Sequence, residues 1–273
     1  MPALADDEHK RLVLQAQASF REHIQRARGN LAAFIQLVGK DENGDPVELD
    51  YLHKAWIVHV SYAWSAGKHA FIMAPFNSGK TSTLAIPLAA FLIGQNPQIR
   101  IKIVCADDDM AKLRVASVKS IIESYEYRLI FPGIRPGKKW DMHDAFVDRV
   151  GHAHDPTIQA RGVLTEGIGS RCDVMIMDDV CTQKNSEKPL MRATVKSRAR
   201  GTWMSRLDGP AARVMGFGTA WAQDDYTATV KQDPKWLTLV QAIEMPSMEN
   251  YEQTVWGAPD VLVNYPQGQD LAA

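Results

Sequence analysis

At 273 residues, 45% hydrophobic and 23% charged, the chain is long enough for one large or two modest domains around a real core, and its net charge of −1 excludes a wholly basic nucleic-acid coat without excluding a local basic stripe. Three dispersed cysteines, Cys105, Cys172 and Cys181, exclude a disulfide framework or a zinc spacing and fit a reducing compartment. The first residues carry no signal pattern, and no window is apolar enough to span a membrane, so no membrane partner is expected.

Residues 6–39 are expected as helix in two pieces. Phe20, Ile24, Ala27, Leu31, Phe34 and Val38 recur at three- and four-residue steps, Asn30 caps the second piece and Gly39 ends it. After a polar loop, Asp50 caps a helix with Leu52, Trp56, Val60 and Trp64 on one face, and Gly67 stops it. The apolar run His69–Met73 is a strand, and Ser82–Ile93 a helix kinked at Pro87. A strand over Ile99–Cys105 and a helix capped at Asp107 or Asp108 follow, so strand and helix alternate and imply a parallel sheet. Residues 126–170 are less regular, with short strands around Ala145–Val150 and Thr157–Val163. Val174–Met177 is a buried strand, and Ser186, with Pro189 in the first turn, starts a helix running to about Leu207. A strand over Ala212–Gly218, a helix near Asp224–Lys231 and a strand over Trp236–Ile243 complete the pattern.

Between the first strand and its helix lies Ala74-Pro75-Phe76-Asn77-Ser78-Gly79-Lys80-Thr81. A Gly-Lys-Thr turn from strand to helix is the context of a phosphate-binding loop (Walker A): unpaired N–H groups at a helix start favour an anion. Gly79 lets the chain wrap a phosphate, Lys80 reaches the β- and γ-phosphates, and the Thr81 hydroxyl ligates Mg²⁺. The first Gly of the full motif is Ala74 here. A second signal is Met175-Ile176-Met177-Asp178-Asp179, an acid pair ending a buried strand in the manner of Walker B. Carboxylates there are costly unless used; Asp178 is assigned to Mg²⁺ and Asp179 to the attacking water. Asp stands where Glu is usual, one methylene shorter. The third signal, Gly216-Phe217-Gly218-Thr219-Ala220-Trp221, reads either as a Gly-rich turn or as a Thr at a crevice-lining strand end.

Four blocks occur in order: Ala74–Thr81, Asp155–Val163, Gly169–Asp173 before the Asp-Asp strand, and Gly218–Asp225. Over roughly residues 50–245 this resembles the ATPase domain of tailed-phage large terminase subunits. The resemblance implies an α/β, RecA-like P-loop NTPase (ASCE type): a mostly parallel sheet flanked by helices, with an N-terminal helical extension over 1–49 and a linker or C-terminal tail over 246–273. It implies ATP hydrolysis with Mg²⁺ to package double-stranded DNA into a procapsid, in the host cytoplasm. The implied partners are a portal protein, a small terminase subunit and a homo-oligomeric ring, typically a pentamer. Lys80 and Thr81 match the phosphate loop, Asp178 and Asp179 the acidic motif, and Thr219 the segment coupling hydrolysis to movement. His53 resembles a base-contacting segment upstream; Arg171, with Arg161 as rival, resembles an arginine finger acting on a neighbouring subunit.

Two departures stand out. Many relatives carry Arg inside the phosphate loop, where Phe76 and Asn77 stand here. Too few acids follow Met245 for a two-metal nuclease, so no DNA cleavage is expected from this chain. A helicase-like motor, or an assembly module that binds nucleotide without turnover, are the alternatives. Asp141, His143, Asp144, His152, His154 and Asp155 are expected as a polar hairpin rather than a metal site. Arg192, Lys196 and Arg200 share a helix face with Arg198 and Arg206 nearby, as a solvated face or a track for DNA phosphates.

Overall fold

The computed structural model describes residues 2–40, 43–75, 78–150, 154–165, 169–241 and 261–263. Helix α1 (Pro2–Gly29) ends at Asn30, whose side chain accepts the Ala33 N–H at 2.9 Å and caps α2 (Leu31–Val38). The expected apolar stripe joins the core only from Ile24 onward; Phe20 is 48% exposed. Asp50 caps α3 (Tyr51–Ser65) by accepting the His53 N–H at 3.0 Å, and Trp56 and Val60 are buried.

Strand β1 (His69–Met73) leads through residues 74–79 into a widened π-helical turn, Lys80–Ala85, and then α4 (Ile86–Gln95). The Ile86 N–H reaches back five residues to the Thr81 carbonyl. Pro87, which has no N–H to give, therefore sits in the first turn of α4 and does not kink a continuous helix as expected.

Next come β2 (Ile101–Cys105), α5 (Asp108–Glu123), α6 (Tyr125–Ile130), β3 (Pro136–Trp140), β4 (Asp144–Val147), β5 (Ile158–Gly162) and β6 (Val174–Asp178). Helix α6 and strand β3 were not expected; Pro136 opens an edge strand, where no ladder N–H is needed. The single helix expected from Ser186 is in pieces. Thr182 caps α7 (Gln183–Ser186), α8 (Pro189–Ser197) starts afresh after Lys188, and the chain then widens into π and 3₁₀ turns to Arg206. Strand β7 (Arg213–Gly218), α9 (Tyr226–Gln232) and β8 (Trp236–Gln241) follow. Val261–Val263 form β9, within the stretch expected as linker or tail.

These strands make one sheet in the order β3-β4-β5-β2-β6-β7-β1-β8-β9. From β5 to β8 every pairing is parallel; the edge pairings β3–β4, β4–β5 and β8–β9 are antiparallel. The two-residue period of each strand sends side chains to opposite faces. Ala70, Ile72, Ile103 and Ile176 join the core beneath α1–α6. Phe71, Met73, Val104, Met175 and Met177 join a second core with Val195, Trp203, Tyr226 and Val230. Helices thus cover both faces, and all the parallel strands end at one edge, where the crevice of an open α/β sheet lies.

Candidate functional site

Four strand ends build the site. β1 delivers residues 74–81, β6 delivers Asp178 and Asp179, β7 delivers Thr219, and β2 leads into α5. Gly79 has φ +76°, and a Cβ on it would lie 3.0 Å from Thr83 Oγ1, so the turn demands glycine. Directly after it, Lys80 is only 5% exposed. Its Nζ donates to the carbonyls of Ala74 (3.0 Å) and Pro75 (2.6 Å) and stands 3.4 Å from Ser78 Oγ, so the loop closes on its own ammonium. Burial lowers the Lys80 pKa, against the pull of Asp179 and Asp178. Phe76 and Asn77 lie outside the described residues.

Asp178 is fully buried. The Thr81 hydroxyl stands 3.0 Å from both of its oxygens, bridging 97 residues of chain, and Arg114 Nε donates to Oδ2 at 2.8 Å. A buried carboxylate needs such partners. Asp179 follows with φ +49°, the one non-glycine residue at positive φ among those described. That conformation costs about 1–2 kcal/mol and is held by the Asp179 N–H donating to Phe217 O at 3.2 Å. Burial, then the charge of Asp178, push Asp179 up to about 6, against Lys80 and Arg114. Thr219 Oγ1 donates to Ala74 O at 3.3 Å, the same carbonyl that takes Lys80.

The glycines before Thr219 have a packing reason. A Cβ on Gly216 would meet Phe71 Cδ2 at 2.3 Å, so bare backbone in β7 makes room for the β1 ring. His53 lies beside the loop, with Nε2 3.6 Å from where a Gly79 Cβ would be. It lines an open cleft of about 1130 Å³ with Ser78, Gly79, Ser82, Thr83 and the 43–48 segment.

Thr81 and Asp178 suit Mg²⁺ by the chemistry of their donors: hard oxygens, 3.0 Å apart. Adjacent corners of an octahedron with bonds of about 2.1 Å stand about 3 Å apart. Among the described residues no three His, Cys, Asp or Glu side chains cluster to hold a metal by themselves. Asp141 accepts the N–H groups of His143 and Asp144, and Asp144 pairs with Lys139 and Arg161; His152 lies outside the described residues.

Arg171 is not at this edge. It precedes β6, at the amino end of the sheet, and is exposed, so within one chain it takes no part in the site. Arg161 is near the carboxyl edge but tied to Asp144 (2.9 Å) and His143 (3.0 Å). Arg192 is held by Asp224 at 2.6 Å and by the Ser186 carbonyl, which takes it off the basic face drawn with Lys196 and Arg200. Arg114 was missed. Its signal was a charged residue on the buried stripe Ala111, Val115, Val118, Ile122.

No protein-family model matches the chain. Over 196 residues, 72% of its length, it is 24% identical to the "Terminase, large subunit" of Enterobacteria phage T3, covering 32% of that protein. Its fold matches the crystal structure of the HK97 bacteriophage large terminase with a TM-score of 0.53 at 15% identity, over 81% of this chain and 44% of that one. The chain is similar to phage terminase large subunits in sequence and in fold. The RecA-like α/β sheet expected of the resemblance is the one observed. The chain spans less than half the length of either relative. The T3 match carries the resemblance beyond the bare fold, because it is one of sequence over most of this chain. Among the described residues, no helix is long and apolar enough to cross a membrane.

Proposed function

We propose that this chain is the ATPase part of a phage-type DNA-packaging motor. The observation that carries the reading is the meeting of Thr81 and Asp178 at 3.0 Å beside the buried Lys80. A hydroxyl from a strand-to-helix turn and an acid from a distant strand end converge where a metal–phosphate group would need both. In this reading Lys80 exchanges the loop carbonyls for the β- and γ-phosphates, and Thr81 and Asp178 hold Mg²⁺, which supplies counter-charge to the phosphates. His53 and the cleft beside it take the base. Asp179 orients water against the γ-phosphorus and receives its proton; the new P–O bond forms as the β–γ bridging bond breaks, and ADP and phosphate leave. Thr219 shares the Ala74 carbonyl with Lys80, so a lysine that leaves that carbonyl changes the Thr219 bond, a route from nucleotide to movement. Double-stranded DNA, a portal, a small subunit and a ring of copies, with Arg171 of one copy reaching the next, complete the proposal, which is supported by the likeness to the T3 protein.

The test is Mg²⁺-dependent ATP turnover against protein concentration for wild type, Lys80→Ala and Arg171→Ala. A ring completed in trans gives turnover that rises faster than linearly and is lost in both variants. Linear turnover indifferent to Arg171 removes the finger. Nucleotide bound without turnover, under conditions that include DNA, favours the assembly module, the reading that the short Asp179 side chain keeps open.

A further inference from the structure

We propose that Arg114 is the charge-stabilising arginine that this chain supplies to its own site, from helix α5 and so from outside the phosphate loop, beside any arginine that a neighbouring copy adds. The proposal rests on the nucleotide reading above. Its warrant is the state of three arginines. Arg171 lies across the length of β6 from the site, and Arg161 is neutralised by Asp144 at 2.9 Å. Arg114 alone of the three bonds an acid of the site, at 2.8 Å, and does so through Nε only. Its two terminal nitrogens make no hydrogen bond among the described residues, and the side chain is 26% exposed.

The charge balance makes this contact a provisional one. Asp178 is fully buried, and its negative charge requires a cation close by. Arg114 is the cation in direct contact with it, at 2.8 Å, with Lys80 acting from farther off. Once Asp178 serves as a metal ligand, its charge is met, and the guanidinium is left beside two cations, the metal and Lys80. The anion the crevice then admits is the terminal phosphate, and the unused Nη groups form the planar fork that binds phosphate oxygens in pairs. The helix holds the stem in place, because Ala111, Val115 and Val118 around it are fully buried. Residues 74–81 contain no arginine, so this charge has to be supplied from outside the loop.

The experiment compares binding of fluorescent ATP and ADP analogues, with Mg²⁺, to wild type, Arg114→Gln and Arg114→Lys, with melting curves alongside. The expected result is specific to the γ-phosphate: Arg114→Gln weakens ATP about tenfold and ADP less than about twofold, with Arg114→Lys between. Equal weakening of both nucleotides would mean that Arg114 only holds Asp178, and would overturn the proposal; so would no change in either. If Arg114→Gln does not fold, the same ATP-to-ADP ratio is read on Arg114→Lys. Failure of wild type to bind either nucleotide would instead overturn the nucleotide reading itself, and this one with it.

Discussion

The two edges of the sheet each carry an arginine among aspartates, and they use it in opposite ways. At the amino edge Arg100 is shared among three carboxylates. Its Nε and Nη2 bond Asp173, Nη2 also bonds Asp208 at 2.7 Å, and Nη1 stands 3.5 Å from Asp155. The hydrogen bonds to Asp173 hold its guanidinium firmly charged, and the carboxylates are partly open to water. That network ties β2, β6 and the turn before β7 together. At the carboxyl edge Arg114 meets one carboxylate with one nitrogen, and that carboxylate is wholly buried. A guanidinium spread over three carboxylates is a rivet; one that meets a single buried acid through one nitrogen can change partner. The same residue types therefore fix the fold at one end and remain available for chemistry at the other.

Substitutions should separate the two edges cleanly, and the largest effect belongs to the carboxyl one. Lys80→Ala is expected to cut ATP turnover by about two to three orders of magnitude, the usual loss when a charge-stabilising donor is removed. Its melting temperature should stay within a few degrees of wild type. Unaltered turnover would break the comparison.

Acid should act on the other end. His59, buried against the Leu237 carbonyl, and His69, at the start of β1, are both lowered by burial to about 4. Between that value and their usual one near 6.5 the unfolded chain binds more protons, so stability is full above about pH 6.5 and falls as pH falls toward 4. Each should remove about 2 kcal/mol by pH 5. Chemical denaturation at pH 7.5 and 5.0 checks this: His59→Gln should remove its own share of the loss, which Asp179, taking up its proton near pH 6, partly offsets. A flat profile would show that neither histidine is held neutral.

The smallest effect is that of Arg100→Ala, about 1–2 kcal/mol, since the pairs it breaks are partly solvated. For a chain of this length that is a fall of a few degrees in melting temperature. A larger fall, or a turnover loss like that of Lys80→Ala, would deny the amino edge its purely structural part.

What the sequence showed depended on how local the signal was. Residues 74–81 and the pair Asp178-Asp179 were legible because each is a contiguous run at a strand end, and the burial of Asp178 is what an acid after Val174–Met177 implies. Helix caps at Asn30 and Asp50 were legible for the same reason, and the third was narrowed to Asp107 or Asp108, of which Asp107 is the cap. The π turn at Lys80–Ala85 was not, because a proline just beyond the turn, at 87, reads equally as a kink or as a start. Strand order was out of reach: two strands separate β2 from β1, because the chain later inserts β6 and β7 between them. Arg114 is the clearest miss. Its partner lies 64 residues away, and only the packing of α5 against the sheet joins them.

The most direct measurement is steady-state Mg²⁺-dependent ATP turnover of wild type, Lys80→Ala and Arg100→Ala, each corrected for the fraction folded. The account predicts that Lys80→Ala is inactive while Arg100→Ala matches wild type per folded molecule. Turnover that survives in Lys80→Ala, or that is lost equally in both, would contradict a nucleotide site built at the carboxyl edge around Lys80, Thr81 and Asp178.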